Sequence, residues 1–106
     1  MRRGDVWWVE LPSPAGRRPV LLLSRNEAYA VRGLVTVAPV TTRIRRIPSE
    51  VPLGPEDGLF QECVINLDTI TTIAKASLRE RLTTLSPAKL KEVEAALHFA
   101  LGFREF

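Results

Sequence analysis

Residues 19–42 of this chain read PVLLLSRNEAYAVRGLVTVAPVTT, and this stretch determines the fold class. The apolar run at residues 19–24 is continuous, which is typical of a strand that is buried on both faces. Residues 26–32 predict a short helical turn that ends at Gly33, and residues 34–40 predict a second strand. Pro39 indicates a bulge or a sheet edge there, because proline lacks the N–H that a strand ladder needs.

Further strands are predicted on both sides of this stretch. Residues 5–11, DVWWVEL, form a strand that stops at the turn in residues 12–16. Residues 50–53 form a short strand, and the sequence GPEDG at residues 54–58 is a strong turn signal. Residues 63–73 supply one or two more strands. Residues 78–85 are open between a short helix and another strand.

The C-terminal segment predicts a helix. Ser86 is a typical N-cap, and Pro87 suits the first helical position. Leu90, Val93, Leu97 and Leu101 then fall on one face at helical spacing, and Gly102 is a plausible stop. This apolar face must be buried against the sheet. We therefore expect an α+β, mainly β domain over residues 1–106, small, strongly curved, mostly antiparallel and closed by a C-terminal helix.

Composition limits the kind of site that this chain can hold. The 106 residues suffice for one compact domain. With one cysteine, Cys63, and one histidine, His98, an internal disulfide is impossible and a zinc site is not expected. No acidic cluster suggests a magnesium site, so no cofactor is expected. A ribonuclease of the two-histidine type is excluded, and His98 is assigned to the helix surface or its boundary.

The cysteine content, the apolar stretches and the charge of the chain predict a cytoplasmic protein with a modest preference for polyanions. A lone cysteine fits a reducing compartment, and no apolar stretch is long enough for a signal peptide or a membrane span. The net charge is +3, and the basic residues are 12 Arg and only 3 Lys. Arginine presents a planar fork that suits bidentate phosphate contacts. A genome or a growth temperature that favours arginine is an equal explanation.

Three basic or hydroxylic clusters are candidate phosphate contacts. Arg17 and Arg18 precede Pro19, which biases Arg18 toward extended geometry and pre-aims its guanidinium. Thr41 and Thr42 stand at the exit of a buried strand, where their hydroxyls could donate to phosphate oxygens. The alternatives are a solvated arginine pair and ordinary strand-edge threonines. The loop that follows carries the third cluster, which is a nucleic-acid track or a solvated loop: Arg43, Arg45 and Arg46.

Two further features stay open at this level. Asp68 lies near the exit of a strand, where it could orient an arginine or accept a proton, or could cap a turn or pair with a structural arginine. Trp7 and Trp8 are adjacent, so in a strand they face opposite ways. One of them is a core residue, and the other stacks on a base or lies in a dimer interface.

Several of these stretches, taken in order, resemble the MazF/PemK toxins of type II toxin–antitoxin systems. They are RGDVWW at residues 3–8, RPVL at 18–21, VAPVTT at 37–42, the segment from Gly58-Leu59 through Val64 to Asp68, then Thr72-Ile73 and the terminal helix from Leu85-Ser86. The resemblance runs over nearly the whole chain, from about Arg3 to Leu101. Each motif is weak alone, and their order and spacing together are fairly specific.

The resemblance implies an SH3-like small β-barrel with a C-terminal helix, usually a homodimer, that cleaves single-stranded RNA at short motifs without metal. It implies a cognate antitoxin that blocks the RNA groove, with any contact to operator DNA made through that antitoxin. By position, the family's active arginine falls on Arg18, its active threonine on Thr41 and an aspartate used in some relatives on Asp68. Arg17, Thr42 and the loop arginines then become candidate RNA contacts.

Cleavage without metal would use the 2′-hydroxyl of the substrate as nucleophile and give 2′,3′-cyclic phosphate and 5′-hydroxyl ends. Arg18 would hold the non-bridging oxygens and Thr41 would hydrogen-bond one of them. Two other functions stay in view. A CcdB-like topoisomerase poison shares the small barrel, and Phe103 and Phe106 near the terminus fit it. A catalytically silent RNA- or antitoxin-binding module is motivated by Asn66 and Thr71, where some relatives carry arginine.

Overall fold

The computed structural model describes residues 1–103. Seven strands and two α-helices follow in this order: β1 (Asp5–Leu11), β2 (Gly16–Leu22), α1 (Ala28–Val31), β3 (Leu34–Thr41), β4 (Glu50–Leu53), β5 (Cys63–Asn66), β6 (Thr71–Ala74), β7 (Leu78–Thr84) and α2 (Pro87–Ala100). Short 3-10 helices cover Pro55–Asp57, Leu67–Thr69 and Lys75–Ser77. The open choice at residues 78–85 is settled as a strand, and residues 63–73 supply two strands.

The strands form one antiparallel, strongly curled sheet in the order β4-β5-β3-β2-β1-β7, with β6 paired to β3. Among the described residues, β4 and β7 at the two ends of this order do not pair with each other, so the sheet is not a closed barrel. The mainly β fold with a C-terminal helix is confirmed, and the small barrel is better described as a curled sheet.

Strand β3 occupies the centre because it changes partners along its length. Residues 34–37 pair with β6, and residues 40–41 pair with β5. Pro39 lies between these two segments and opposite Val20 of β2. A proline is tolerated here because the strand is between partners on that side, and the missing N–H removes no bond from either ladder. The predicted bulge or edge is therefore a partner switch inside a central strand.

Two hydrophobic clusters lie on opposite faces of the curled sheet. Val20 and Leu22 belong to one cluster, and Leu21 between them belongs to the other. All three are buried, which confirms a strand covered on both faces. Burial of each such side chain contributes about 1.5–3 kcal/mol, so the register of β2 is strongly fixed.

Helix α2 covers the cluster that contains Leu21. Its N-cap Ser86 accepts a hydrogen bond from Lys89 N at 3.1 Å, with Pro87 in the first turn. Val93 is buried and the flanking apolar residues are partly buried, whereas Leu101 lies past the helix end and is 49% exposed. The predicted apolar face is therefore one residue too long at its C-terminal end.

Two observations concern the chain end and the helices. Phe103 is exposed just after α2, and Phe106 lies outside the described residues. Neither α-helix of residues 1–103 is long and apolar enough to cross a membrane.

Candidate active site

The register between β2 and β3 brings the two principal candidates together. Val20 lies opposite Pro39, and the ladder continues through the next two pairs toward Leu22. Continuing the same register two residues in the other direction places Arg18 opposite Thr41. Side chains that face each other in this way point to the same side of a sheet. Arg18 and Thr41 both line one cleft, as well as a second hollow beside it.

The Arg18 side chain is exposed and makes one hydrogen bond to residues 1–103. Its Nε donates to the carbonyl oxygen of Ala15, in the preceding turn, at 2.9 Å. Its two terminal nitrogens have no hydrogen-bond partner among residues 1–103. This arrangement fixes the direction of the guanidinium through Nε and leaves the outer edge of the fork free for two oxygens of an anion.

Thr41 is the last residue of β3, and its hydroxyl oxygen accepts a hydrogen bond from Arg43 N at 3.1 Å. Because the oxygen is the acceptor in that bond, its own proton remains available for donation. Thr42 follows in the loop and lines the same cleft as Arg18. One guanidinium and one or two hydroxyls therefore face a common space, which can hold a phosphate group.

The main cleft has a volume of about 210 Å³. Its walls combine cationic, hydroxylic and apolar groups and come from several strands and from the loop after the 3-10 helix Pro55–Asp57: Trp8, Arg17, Arg18, Pro19, Val40, Thr41, Thr42, Leu59, Phe60, Gln61, Cys63 and Leu82. Burial raises the pKa of the Cys63 thiol, so this side chain is a neutral thiol at neutral pH.

Arg17 also lines this cleft, but its side chain is already engaged. Its guanidinium forms an ion pair with Glu80 of β7, and its Cζ lies 5.0 Å from the centroid of the Trp8 ring. Both partners of the ion pair are at least half exposed, so the pair is a weak one that an anionic ligand can replace. Arg17 lines the cleft, and its role as an RNA contact stays a prediction.

The arginine-rich loop borders the second hollow. Arg43 and Arg45 line it together with Arg18, Thr41 and Asn66. Arg46 does not line either space. The predicted track is thus assembled for two of its three arginines.

A buried carboxylate fixes this loop. Glu50 is 9% exposed, and its Oε1 accepts hydrogen bonds from Arg45 N at 2.9 Å and from Arg46 N at 3.0 Å. Arg46, at the end of this pair of amides, adopts a φ of 59°, in the left-handed region that residues other than glycine seldom occupy. Sequence reasoning missed Glu50, although an acidic residue four positions after the loop arginines was visible.

Asp68 is placed apart from Arg18 and Thr41. It lies in the 3-10 helix Leu67–Thr69 and lines neither space. The Ser49 hydroxyl donates to its Oδ2, and its backbone N–H donates to Asn66 Oδ1 at 2.9 Å. The cap of this turn is therefore Asn66, and the Asp68 carboxylate contacts Ser49 and pairs with no arginine among residues 1–103.

The two tryptophans have different environments. Trp7 packs against the cluster that contains Val9 and Val20, and Trp8 lines the cleft with Phe60 stacked on it. Phe60 is the second residue that sequence reasoning missed, and its position after the glycine-rich turn was the available signal. His98 lies away from the cleft, partly buried on α2 beside Leu97 and Leu23. Residues 1–103 contain no group of three or more His, Cys, Asp or Glu side chains placed to hold a metal ion.

Comparison with known proteins gives a family match over most of the chain. The model for the PemK-like, MazF-like toxins of type II toxin–antitoxin systems matches residues 2–101. The probable endoribonuclease MazF2 of Mycobacterium tuberculosis is 38% identical over 103 residues, which cover 96% of this chain and 99% of that protein. The endoribonuclease MazF of Staphylococcus saprophyticus is 38% identical over 111 residues, covering 96% of this chain and 92% of that protein.

Solved structures agree. A mycobacterial endoribonuclease in complex with its cognate antitoxin superposes with a TM-score of 0.88 at 32% identity, covering 100% of this chain and 99% of that one. The Mycobacterium tuberculosis toxin MazF-mt6 gives a TM-score of 0.85 at 30% identity, with 92% and 96% covered. Each of these proteins is similar over more than nine-tenths of its length and not only around the cleft.

Proposed function

This chain belongs to the PemK-like, MazF-like toxins of type II toxin–antitoxin systems and is accordingly an endoribonuclease, and we propose that its reaction is carried by Arg18 and Thr41. The observation that supports this assignment is that both side chains line one cleft, although they are distant in sequence and come from separate strands. The guanidinium supplies positive charge and the hydroxyl supplies a hydrogen-bond donor. Both stabilise the negative charge that builds on the phosphate oxygens in the transition state.

The reaction that we propose is cleavage by the substrate's own 2′-hydroxyl. The O2′ atom attacks the adjacent phosphorus and loses its proton, a bond forms between O2′ and phosphorus, and the bond from phosphorus to O5′ breaks. The leaving O5′ takes up a proton, so the products are a 2′,3′-cyclic phosphate and a 5′-hydroxyl end. No atom is oxidised or reduced, and no metal is needed for this balance.

Arg18 and Thr41 act on the charge that develops at the phosphate. Negative charge builds on the non-bridging oxygens, which the two terminal nitrogens of Arg18 can contact together. The Thr41 hydroxyl donates to one of them. Donors that are already aimed at such oxygens cost no reorganisation during the reaction, which is why a single donor contributes a factor of about 10²–10³.

The surrounding side chains extend this site to the flanking nucleotides. Thr42 lines the main cleft, and Arg43 and Arg45 line the hollow on the other side of Arg18 and Thr41. A single strand that crosses Arg18 would therefore have phosphates within reach on both sides. Base pairing would stiffen the strand and hide the bases, so we propose single-stranded RNA as the substrate.

A role of Asp68 in proton transfer stays a prediction, which the activity of Asp68→Asn tests. Its carboxylate is occupied by the Ser49 hydroxyl and lines neither space. A positioning role for the turn after β5 fits these contacts better than a direct one.

We also propose that a cognate antitoxin inhibits the chain, as in the mycobacterial endoribonuclease–antitoxin complex and the MazE–MazF structures of Deinococcus radiodurans. An acidic segment laid over Arg18 would satisfy the same nitrogens as the phosphate. A homodimer and a cytoplasmic location belong to this proposal, and so does access to operator DNA through the antitoxin alone.

The test is incubation of the purified protein with a long RNA in EDTA, followed by mapping of the fragment ends. Cuts at one short motif, with cyclic phosphate and 5′-hydroxyl ends, are expected to persist under chelation. Intact RNA would contradict the activity, and loss of cleavage in EDTA would contradict the metal-free reaction. Relaxation of supercoiled DNA by a topoisomerase, measured in parallel, distinguishes a topoisomerase poison.

A further inference from the structure

One wall of the cleft carries a stacked pair of aromatic rings that the phosphate chemistry does not use. The rings of Trp8 and Phe60 lie 6.4 Å apart between centroids, with 27° between their planes. Both residues line the same cleft as Arg18 and Thr41. Phe60 is 78% exposed, so the face of its ring away from Trp8 is open to solvent. An exposed apolar ring beside a phosphate site is a natural surface for a flat partner.

The Trp8 ring is positioned by its strand and by a contact with Arg17. It stands on β1, and the guanidinium of Arg17 lies 5.0 Å from its centroid. Arg17 is in turn paired with Glu80 on β7. Trp8 is only partly exposed on its strand, and its ring supports one face of Phe60.

The backbone that carries Phe60 is anchored as well. The Thr83 hydroxyl of β7 donates to the carbonyl oxygen of Asp57 at 3.0 Å, and the Asp57 side chain accepts from Gly54 N at 3.0 Å. Gly58 has a φ of 93°, and a Cβ there would collide with the Thr83 hydroxyl. Leu59 is buried, so the next residue is turned outward on a rigid turn.

We propose that Phe60, backed by Trp8, is a base-stacking subsite for the nucleotide that flanks the scissile phosphate. This inference rests on the proposed function. A base laid on the exposed face of Phe60 would extend an existing stack while its phosphate stays beside Arg18. Stacking is tolerant of base identity, so the pair fixes the position of the strand, and the polar edge of the cleft is left to discriminate among bases.

The chain offers a matched control for this proposal. Phe103 is also 78% exposed, and it does not line the cleft. Phe60→Ala and Phe103→Ala therefore remove the same ring from the same degree of exposure. Only the first removes it from the site.

The experiment first maps the cut made by the wild-type protein. It then measures binding by fluorescence anisotropy to a short RNA that carries a 2′-deoxy nucleotide at the cut, so that it cannot be cleaved. Phe60→Ala is expected to weaken binding about 5- to 150-fold, the range for loss of one aromatic stack, while Phe60→Tyr and Phe103→Ala bind as the wild type does. RNAs with a single abasic nucleotide then scan the positions next to the cut.

One abasic position is expected to weaken wild-type binding as much as Phe60→Ala does, and to have no further effect on that variant. The proposal would be overturned if Phe60→Ala bound the RNA as tightly as the wild type does. It would also be overturned if, at every abasic position, the loss of affinity simply added to the loss caused by Phe60→Ala. So would unchanged RNA binding combined with weaker antitoxin binding, which would assign the ring to the protein partner. If the wild-type protein cuts nothing, the proposed function fails, and the same comparison on a random single-stranded RNA pool still decides the stacking.

Discussion

Replacement of Arg18 by alanine is the most direct test of how the cleft works. The structure leaves two terminal nitrogens of this side chain for the phosphate, because Nε is bound to Ala15 O at 2.9 Å. Each donor aimed at developing charge is worth about 10²–10³, and an arginine that stabilises a phosphoryl transition state contributes about 10³–10⁵. Since the two nitrogens belong to one side chain and their effects are not additive, we use the figure for a whole arginine and do not multiply the two donor figures. Arg18→Ala should lower kcat/KM about 10³- to 10⁵-fold, or about 4–7 kcal/mol of barrier.

The assay is cleavage of a fluorophore–quencher RNA that carries the mapped motif, together with urea unfolding. Arg18 is exposed, so the free energy of unfolding should fall by less than about 1 kcal/mol. Arg18→Lys keeps the charge without the fork and should restore only part of the rate. Arg79→Ala is the matched control, because Arg79 is an exposed arginine that also bonds a backbone carbonyl, Ala76 O, and lies outside the cleft. Cleavage by Arg18→Ala at the wild-type rate would refute the site.

Three further predictions follow from contacts in and around the cleft. Thr41→Ala should lower kcat about 10²- to 10³-fold and Thr41→Ser should stay near the wild-type rate, because only the first removes the donor; equal losses in a single-turnover assay would contradict this. Glu50→Ala strands the two loop amides of Arg45 and Arg46 and should lower the free energy of unfolding by about 1–3 kcal/mol and weaken RNA binding, with a smaller effect for Glu50→Gln; urea melts and anisotropy measure both. Cys63 should react with iodoacetamide far more slowly in the folded than in the urea-unfolded chain. Folding raises the pKa of the Cys63 thiol, so the stability that this thiol contributes is complete below its ordinary pKa and falls as the pH rises above that value. A difference in free energy of unfolding between the wild type and Cys63→Ala that stays constant from pH 8 to about 10 would contradict this prediction.

Local chemistry made the strands and the terminal helix predictable. Ser86-Pro87 is a cap followed by a residue that suits only a first turn, and the structure starts α2 at Pro87. The continuous apolar run at residues 19–24 is typical of a strand covered on both faces, and β2 contains residues 19–22 of it. Residues 78–85 had no such signal, and their pairing with β1 decided between helix and strand.

Candidate residues for the site could be named from the sequence, but their arrangement in space could not be predicted. Arg18 and Thr41 could be named from sequence, but their meeting depends on the register between β2 and β3, which is a long-range property. The two tryptophans could not be told apart because both faces of β1 are apolar. Phe60 was missed because its role comes from stacking on Trp8, which is far away along the chain. Glu50 was missed because its role comes from hydrogen bonds to backbone amides across a turn.

The double-sided burial of β2 has a consequence for how this scaffold can diversify. A shift of one residue along that strand would exchange the side chains of the two cores, so packing on both faces fixes the location of the Arg18 guanidinium. The preceding turn is free of that constraint. Insertions there would keep Arg18 at its place in the strand and would alter its hydrogen bond to Ala15 O, so the direction of the guanidinium can change while its position is retained.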